Sequence, residues 1–586
     1  MRWKPRTLPD EALVNRLSAE ARITPLVAHL LVERGISEPE AAERFLKPSF
    51  AHSHSPYRML GMDAAVERVR AALARREKIF IYGDYDVDGT VAVVILKTVI
   101  ELCGGNCEYH VPHRIQEGYG MKDDVIERAA AGGVRLIISV DTGIRAFAAA
   151  ETARRLGLDL IVTDHHLPQA EGLPHAVAVL NPNQPGCDYP CKSLCGAGVA
   201  FKLAQALMEK ADLARLLPSF LKIVAIATIA DAVPLLDENR VFAKLGLEAL
   251  RQPVNAGLKA LMDVAQVNHG RALTAGEVAF RIAPRLNAAG RMDVARDVID
   301  LFSVREPVEA QAIAERLNQL NLERQQEEQR IVREIDERIA ADDSLRQAWC
   351  MVVDGEGWHK GVIGIAASRL LERYSRPVLV ITRDGENAQG SARSIQGFHM
   401  LSALECCASL FTRFGGHAHA AGFALPSSRI PELRKALDAL AHERLTPEDL
   451  EPTLRFDAEL ALDQVAPELF EQLQRMAPFG MGNPEPVFVA RQVRLVGAPR
   501  IMKERHLKFR IRQAYITEPH SRKYAPMPRT YDAMGWGMAE RLAGQAPADH
   551  DLLDLAFKII ENTHPDFGGL ELSLCDFAVV SSQAAE

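Results

Sequence analysis

The sequence predicts an α/β protein: a parallel-sheet domain, a long bridging helix, a second α/β domain and a terminal small β-barrel. Three observations carry that reading. Short β-rich runs (KIFIYG, CEYHVP, RLIISV, LDLIVT, AVAVLN) alternate with helical segments from about residue 60 to 198. Such alternation builds a parallel sheet covered on both faces. The same alternation resumes after 349 with WCMVVDGEGW, IGIAASRLLERY and PVLVIT. From about 452 the chain changes to short alternating strands, QVRLVG, HLKFRIRQA and LDLAFKIIEN, the pattern of a small barrel.

The elements follow in order. Residues 1–50 read as helical, with SEPEAAERFL offering a Ser cap and a Glu three positions later. The amphipathic run MDAAVERVRAALARRE leads into the strand KIFIYG, and VAVVILKTVIELCG is the next helix. DDVIERAAAGG and AFAAAETARRLG separate the following strands, and 199 to about 300 is mostly helical. Residues 305–345 form one long helix whose middle, ERQQEEQR, is polar all round and reads as a solvated bridge. The expected division is 1–50, 51–304, 305–345, 346–450 and 451–586.

A chain of 586 residues exceeds one ordinary core. Its 48% hydrophobic and 25% charged residues fit a globular protein; no apolar run approaches a membrane span and the start has no signal-peptide core, so a cytoplasmic location is expected. Cys187, Cys191 and Cys195 are evenly spaced, but no adjacent fourth ligand completes a zinc site, and structural thiols are the better reading. The net charge is −8, yet Arg491, Arg494, Arg500, Lys503, Arg505, Lys508, Arg510, Arg512, Arg522, Lys523 and Arg529 cluster with only Glu504 and Glu518 between them. An acidic protein thus carries one strongly basic segment, and it is the distribution of charge, not the sum, that bears on a polyanionic partner.

Three strands end in acidic or imidazole groups. KIFIYG runs into Asp84, Asp86 and Asp88; RLIISV ends in Asp141-Thr142-Gly143; LDLIVT ends in Asp164-His165-His166. Asp231 closes a nearby apolar segment. In a doubly wound sheet the carboxyl ends of the strands line one crevice. Converging carboxylates repel and protonate unless cations balance them, and oxygen ligands with an imidazole suit Mn²⁺ or Mg²⁺. The glycines after Asp88 and Asp141 are expected to supply sharp turns and room for substrate. A single Asp after a strand is ordinarily a turn residue or helix cap; three such motifs together are not so explained. A helix-loop-helix calcium site is excluded by the preceding strand and the missing Glu at the twelfth loop position.

In this order GDYDVDG, SVDTG, TDHH and ADAVPL resemble the DHH phosphoesterase superfamily, named for the Asp-His-His seen here at 164–166. With VPHRIQEGYG, RIAPRLNAAGRM, GSARSI, FGGHAHAAGF and FGMGNPEPVF, nearly the whole chain is similar to the RecJ family of single-stranded-DNA-specific exonucleases.

That resemblance implies a DHH domain, a DHH-associated domain, an OB-like barrel and two divalent ions, Mn²⁺ or Mg²⁺. It assigns Asp84, Asp86, Asp88, Asp141, His165 and Asp231 to the metals, with Asp164 and His166 orienting ligands or touching the scissile phosphate. Ser391, Arg393, Gly415, Gly416 and His417 would hold the terminal 5′ phosphate. Arg114 and Tyr119 would add a phosphate contact and a stacking face, and Arg285, Asn287 and Arg291 further phosphate or orienting contacts. The implied reaction is 5′-to-3′ hydrolysis of single-stranded DNA to 5′-mononucleotides in recombination and repair. A single-strand-binding protein and a helicase are the expected partners of a monomeric enzyme. Phe509, Tyr515 and Tyr524, interleaved with the basic residues, would stack the strand on the barrel. Two other readings stay open: a phosphoesterase for small molecules or short oligonucleotides, and a replication scaffold without catalysis.

Overall fold

The structure, a computed structural model of the chain, describes all residues except 7–8, 115, 268–269, 293–294, 515–528, 545–546, 548–550, 563–567 and 581–586. It divides into two compact units, Phe50–Pro452 and a second formed by Met1–Ser49 with Thr453–Glu586.

In Phe50–Pro452 the first sheet has five parallel strands: β1 (Lys78–Tyr82), β2 (Cys107–His110), β3 (Val134–Val140), β4 (Asp159–Thr163) and β5 (Ala178–Leu180), in the order β2-β1-β3-β4-β5. The strands are apolar at consecutive positions because the sheet has a core on each face. Ile79 and Ile81 enter one, with Leu136 and Ile138; Phe80 and Tyr82 enter the other, with Val134 and Ile137. Side chains alternate along a strand, so two cores require an unbroken apolar run. Helices α1 (Val87–Leu102), α2 (Gly196–Lys210) and α3 (Leu217–Ala230) are mostly buried and contribute to the first core.

Two later helices tie the unit together. α4 (Ala283–Met292) continues a π-helical turn at Val278–Ile282, and α5 (Pro307–Ala341) runs for 35 residues, about 50 Å at 1.5 Å per residue. Ala310, Ala314 and Leu317 of α5 pack in the first core, whereas Ile331, Ile335 and Ile339 pack in a core of the second domain. The polar middle of α5 is not wholly the solvated bridge its composition predicts. Asn321 and Glu328 are buried there. Glu328 accepts hydrogen bonds from Arg324 at 2.6 Å and from Arg369 at 3.0 Å. Arg369 lies on α6 (Ile363–Tyr374), so the charged stretch clamps the second domain to the bridge.

The second sheet comprises β6 (Met351–Glu356), β7 (Val378–Asp384), β8 (Asn387–Arg393), β9 (Arg413–Gly416) and β10 (Ala420–Pro426), in the order β9-β10-β8-β7-β6, with only β6–β7 parallel.

The other unit joins both ends of the chain. Arg2–Pro5 forms a strand parallel to Thr453–Phe456, an element absent from the helical expectation for residues 1–50. Three helices follow, Glu11–Ala21, Pro25–Glu33 and Pro39–Leu46. Ser37 does not cap the third; Glu38 holds that position without a side-chain hydrogen bond, and Pro39 opens the helix, where its missing N–H costs nothing. Among the described residues the barrel-like sheet has seven strands, and Phe488–Leu495 pairs with both Leu552–Asn562 and His506–Gln513. Phe488, Phe509, Phe557 and Phe577 fill its interior. Phe509 is therefore core and not a stacking face: it points inward at the alternate positions of its strand. Tyr515 and Tyr524 lie outside the described residues. Among the described residues no helix is long and apolar enough to cross a membrane.

Candidate active site

The acidic motifs meet at the carboxyl ends of β1, β3 and β4. After β1 the chain passes Asp84 and bends at Tyr85 and Asp86; the Asp86 side chain then caps α1 by accepting the Gly89 N–H at 3.0 Å. Asp88 lies in the first turn of α1, buried, and accepts N–H bonds from Gly196 at 2.5 Å and Ala197 at 2.8 Å at the start of α2. The partial positive charge of that helix end suits a carboxylate. Asp141 sits in left-handed backbone at φ 58°, with its N–H donated to the Thr163 carbonyl of the neighbouring strand.

Gly143 fulfils the expected turn, at φ +115°. Gly89 does not. It lies inside α1, and a Cβ there would meet the Asp84 backbone oxygen at 2.7 Å, so its smallness lets the helix pass Asp84.

His165 gathers the carboxylates. Its Nε2 lies 3.2 Å from Asp141 Oδ1, 3.8 Å from Asp231 Oδ2 and 3.9 Å from Asp88 Oδ2. Potential ligand atoms of Asp84, Asp86 and Asp141, of Asp88, His165 and Asp231, and of Asp141, His165 and His166 form three groups, each within 4.8 Å. Asp141 and His165 are shared between groups, so all six expected metal-type residues form one centre.

The electrostatics are those of a cation site. Burial, then the neighbouring carboxylates, holds the Asp84 and Asp141 carboxyls well above the ordinary range. The same causes push Asp88 up to about 7 and Asp231 to about 9. Like charges about 4 Å apart repel by on the order of 4 kcal/mol at an effective dielectric of 20. Asp84 Oδ1, Asp141 Oδ1 and Asp231 Oδ2 are buried without a hydrogen-bond partner. Oxygens so placed fit divalent cations. Burial first, then the charge of His166, lowers His165 to about 4, which keeps its ring neutral and able to ligate.

Asp164 behaves differently. Burial would raise its pKa, but His166 and backbone N–H groups hold it below the usual range. It accepts the Ile144 N–H at 2.9 Å and the His165 N–H at 2.7 Å, and its Oδ1 lies 2.7 Å from His166 Nδ1. Burial would lower His166, yet the hydrogen bond to Asp164 raises it. Tyr119 Oη lies 3.4 Å from the same Nδ1. Asn181 donates to the His166 carbonyl at 2.8 Å and Asn183 to the His165 carbonyl at 2.9 Å. These two asparagines were missed; their signal was the NPN that ends the AVAVLN strand.

A cleft of about 700 Å³ lies beside this centre, within the same unit. Tyr85, Arg114, Tyr119, Arg291, Ser391, Arg393 and Gly415 line it. Arg114 stacks over Tyr85 at 4.9 Å, and Arg393 donates to Ser391 and Ser368, each at 3.1 Å. Four of the expected contact residues lie elsewhere. Arg285 donates to Asn318 of α5 at 2.9 Å and to the Arg281 carbonyl, which uses its guanidinium to fasten α4. Asn287 accepts the Val87 N–H at 3.2 Å and so braces the acidic turn. Gly416 (φ +154°) and the exposed His417 lie on the hairpin beyond the lining. Tyr85, Lys360 and Arg413, not singled out in the sequence, do line the cleft.

Among the described residues none of the groups that could hold a metal ion contains a cysteine. Cys195 Sγ instead accepts the Gly198 N–H at 3.4 Å as the cap of α2.

Known proteins are similar to this chain. Residues 78–228 match the N-terminal domain of the DHH family, 347–443 the DHHA1 domain and 456–576 the RecJ OB domain. The single-stranded-DNA-specific exonuclease RecJ of Bacillus subtilis is 40% identical over 519 residues, covering 87% of this chain and 64% of that protein. The protein of the same name from Dickeya dadantii is 37% identical over 509 residues, covering 82% and 86%. RecJ of Thermus thermophilus in complex with Mn²⁺ superposes with a TM-score of 0.82 at 28% identity, over 99% of this chain and 80% of that one; its Mg²⁺ complex gives 0.75, at 28% identity over 98% and 78%. With its acidic centre, DHHA1 and OB regions and this identity over most of its length, the chain belongs to the RecJ family of single-stranded-DNA-specific exonucleases.

Proposed function

We propose that the chain is a metal-dependent exonuclease that degrades single-stranded DNA from its 5′ end, releasing 5′-mononucleotides, in recombination and repair. The observation that carries this reading is one acidic centre with three buried carboxylate oxygens that accept no hydrogen bond, beside a cleft whose lining, among the described residues, holds arginines and no acidic side chain.

Asp84, Asp86, Asp88, Asp141, His165 and Asp231 would hold two Mn²⁺ or Mg²⁺ ions. Bound there, such ions lower the pKa of water and stabilise charge on phosphate oxygens. The remaining steps belong to the protein. Asp164 fixes the His166 ring, and His166 contacts the scissile phosphate. Arg114, Arg291, Ser391 and Arg393 grip the terminal 5′ phosphate; planar guanidinium forks suit that group. Tyr119 supplies a face for the terminal base. Holding the end one residue from the acidic centre makes the cut release a mononucleotide and sets the polarity. The barrel's exposed cations track the strand that follows.

The same reading makes the enzyme a cytoplasmic monomer, supplied with exposed strand by a helicase and a single-strand-binding protein. It keeps the domain limits 51–304 and 346–450 around the bridge.

A long single strand labelled at its 5′ or 3′ end, compared with a blunt duplex in EDTA, Mg²⁺ and Mn²⁺, tests the proposal. Immediate release of 5′-labelled mononucleotide, dependent on metal and absent on duplex, is expected. Cleavage of dinucleotides but not long strands would favour a small-substrate phosphoesterase.

A further inference from the structure

The cleft carries more positive charge than a terminal monophosphate can balance. We propose that it also accepts single strands ending in a 5′-triphosphate and releases the first residue as a nucleoside triphosphate. The proposal rests on the reading of this cleft as the seat of the 5′ end.

Five cations line it: Arg114, Arg291 and Arg393, with the more exposed Lys360 and Arg413. Among the described residues no aspartate or glutamate is in the lining. Lys360 has Asp384 at 3.7 Å; among the described residues the four arginines make no ion pair. They press on one another. Burial first, then Arg114, pushes Arg291 down to about 10, and the same two causes lower Arg393. A monophosphate brings up to about two negative charges. A triphosphate brings roughly twice that, which suits the larger set.

The shape agrees. The cleft encloses about 700 Å³. On its β9–β10 wall Gly415 and Gly422 are register partners, and a Cβ on either would meet nothing within 4 Å. Two opposed glycines leave a bare backbone against which extended phosphates can lie. The first turn of α6, at Ile363 and Gly364, also lines the cleft and has no side-chain cap. The Ile363 N–H is taken by the His359 carbonyl at 3.2 Å, so what this helix start offers an anion is chiefly its dipole.

The chemistry balances without another reactant. Water oxygen adds to the phosphorus of the first internucleotide linkage. The bond from that phosphorus to the 3′ oxygen breaks, and the 3′ oxygen takes a proton. The products are a nucleoside 5′-triphosphate and a shortened strand with a 5′ monophosphate.

The test compares single-stranded oligothymidylates bearing a 5′ hydroxyl, monophosphate or triphosphate, with Mn²⁺, and identifies the first product by ion exchange. Thymidine triphosphate is expected from the triphosphate strand, at a first-cut rate within about fivefold of the monophosphate strand. Lys360→Ala with Arg413→Ala should slow triphosphate ends at least about tenfold more than monophosphate ends. A triphosphate end cut no faster than a hydroxyl end, a monophosphate product from it, or equal losses in the double variant would overturn the inference. If the monophosphate strand itself is not cut from its 5′ end, the proposed function fails instead.

Discussion

Gly196 backs directly onto Asp141: a Cβ on the glycine would lie 2.5 Å from Asp141 Oδ1. The same glycine donates its N–H to Asp88. One small residue thus lets the start of a helix serve one carboxylate and make room for another. Gly196→Ala should displace the Asp141 carboxylate and cost at least about 100-fold in turnover, with a stability loss of about 1–3 kcal/mol from overpacking. Turnover on single-stranded DNA and Mn²⁺ titration calorimetry check this. Near-normal turnover would remove Asp141 from the centre.

Removing a carboxylate from this crowd should help the metal-free fold while ending its chemistry. Asp141→Asn takes away a buried carboxyl whose ionisation burial and the neighbouring carboxylates oppose. Its Tm in EDTA should rise above wild type, Mn²⁺ should stabilise it less than wild type, and cleavage should vanish. Affinity for single-stranded DNA should stay within about threefold, since the guanidinium contacts remain. Scanning calorimetry with and without Mn²⁺ separates these effects.

In the other unit, Glu33 is pushed up to about 8, by burial first and then by the charge of Asp457. The folded chain keeps this proton above the pH at which the unfolded chain loses it. Stability from this group is therefore full below about pH 4.5 and is lost as pH rises towards 8. Glu33→Gln keeps the donor and cannot ionise. Urea denaturation should show little difference between the two proteins at pH 5 and a more stable variant at pH 8.5.

The barrel's free cations predict a salt-dependent grip. Arg491 pairs with Glu459 and Asp554, and Lys508 and Arg510 lie by Asp532. Among the described residues, Arg500, Lys503 and Arg505 make no ion pair and are exposed. Trp536 is 59% exposed nearby, its ring 4.9 Å from that of His506. Replacing the three cations by Ala should weaken binding and reduce the salt slope by about 0.7 for each lost phosphate contact. Trp536→Ala should weaken binding without changing that slope. Fluorescence anisotropy of labelled oligothymidylate across a salt series reports both.

Legibility was uneven for physical reasons. The strand-end motifs were plain because a parallel sheet delivers strand ends to one edge whatever the loops do. Phe509 misled because a strand's alternate residues point inward, and neighbouring lysines and arginines do not reveal which face a ring takes. Arg285 and Asn287 sat in a convincing motif, yet their hydrogen bonds serve α5 and the acidic turn. Glu328 read as solvated until Arg369, 41 positions away, proved to be its partner.

From the order of its residues alone, this chain could be assigned its α/β domains and its metal-type carboxylates, because strand periodicity and strand-end chemistry are local. Folding settled which arginines face the cleft, which glycine yields to Asp141, and why Arg2–Pro5 belongs with Thr453–Phe456. Those facts depend on contacts between distant segments, where burial and close approach, not composition, select the partner.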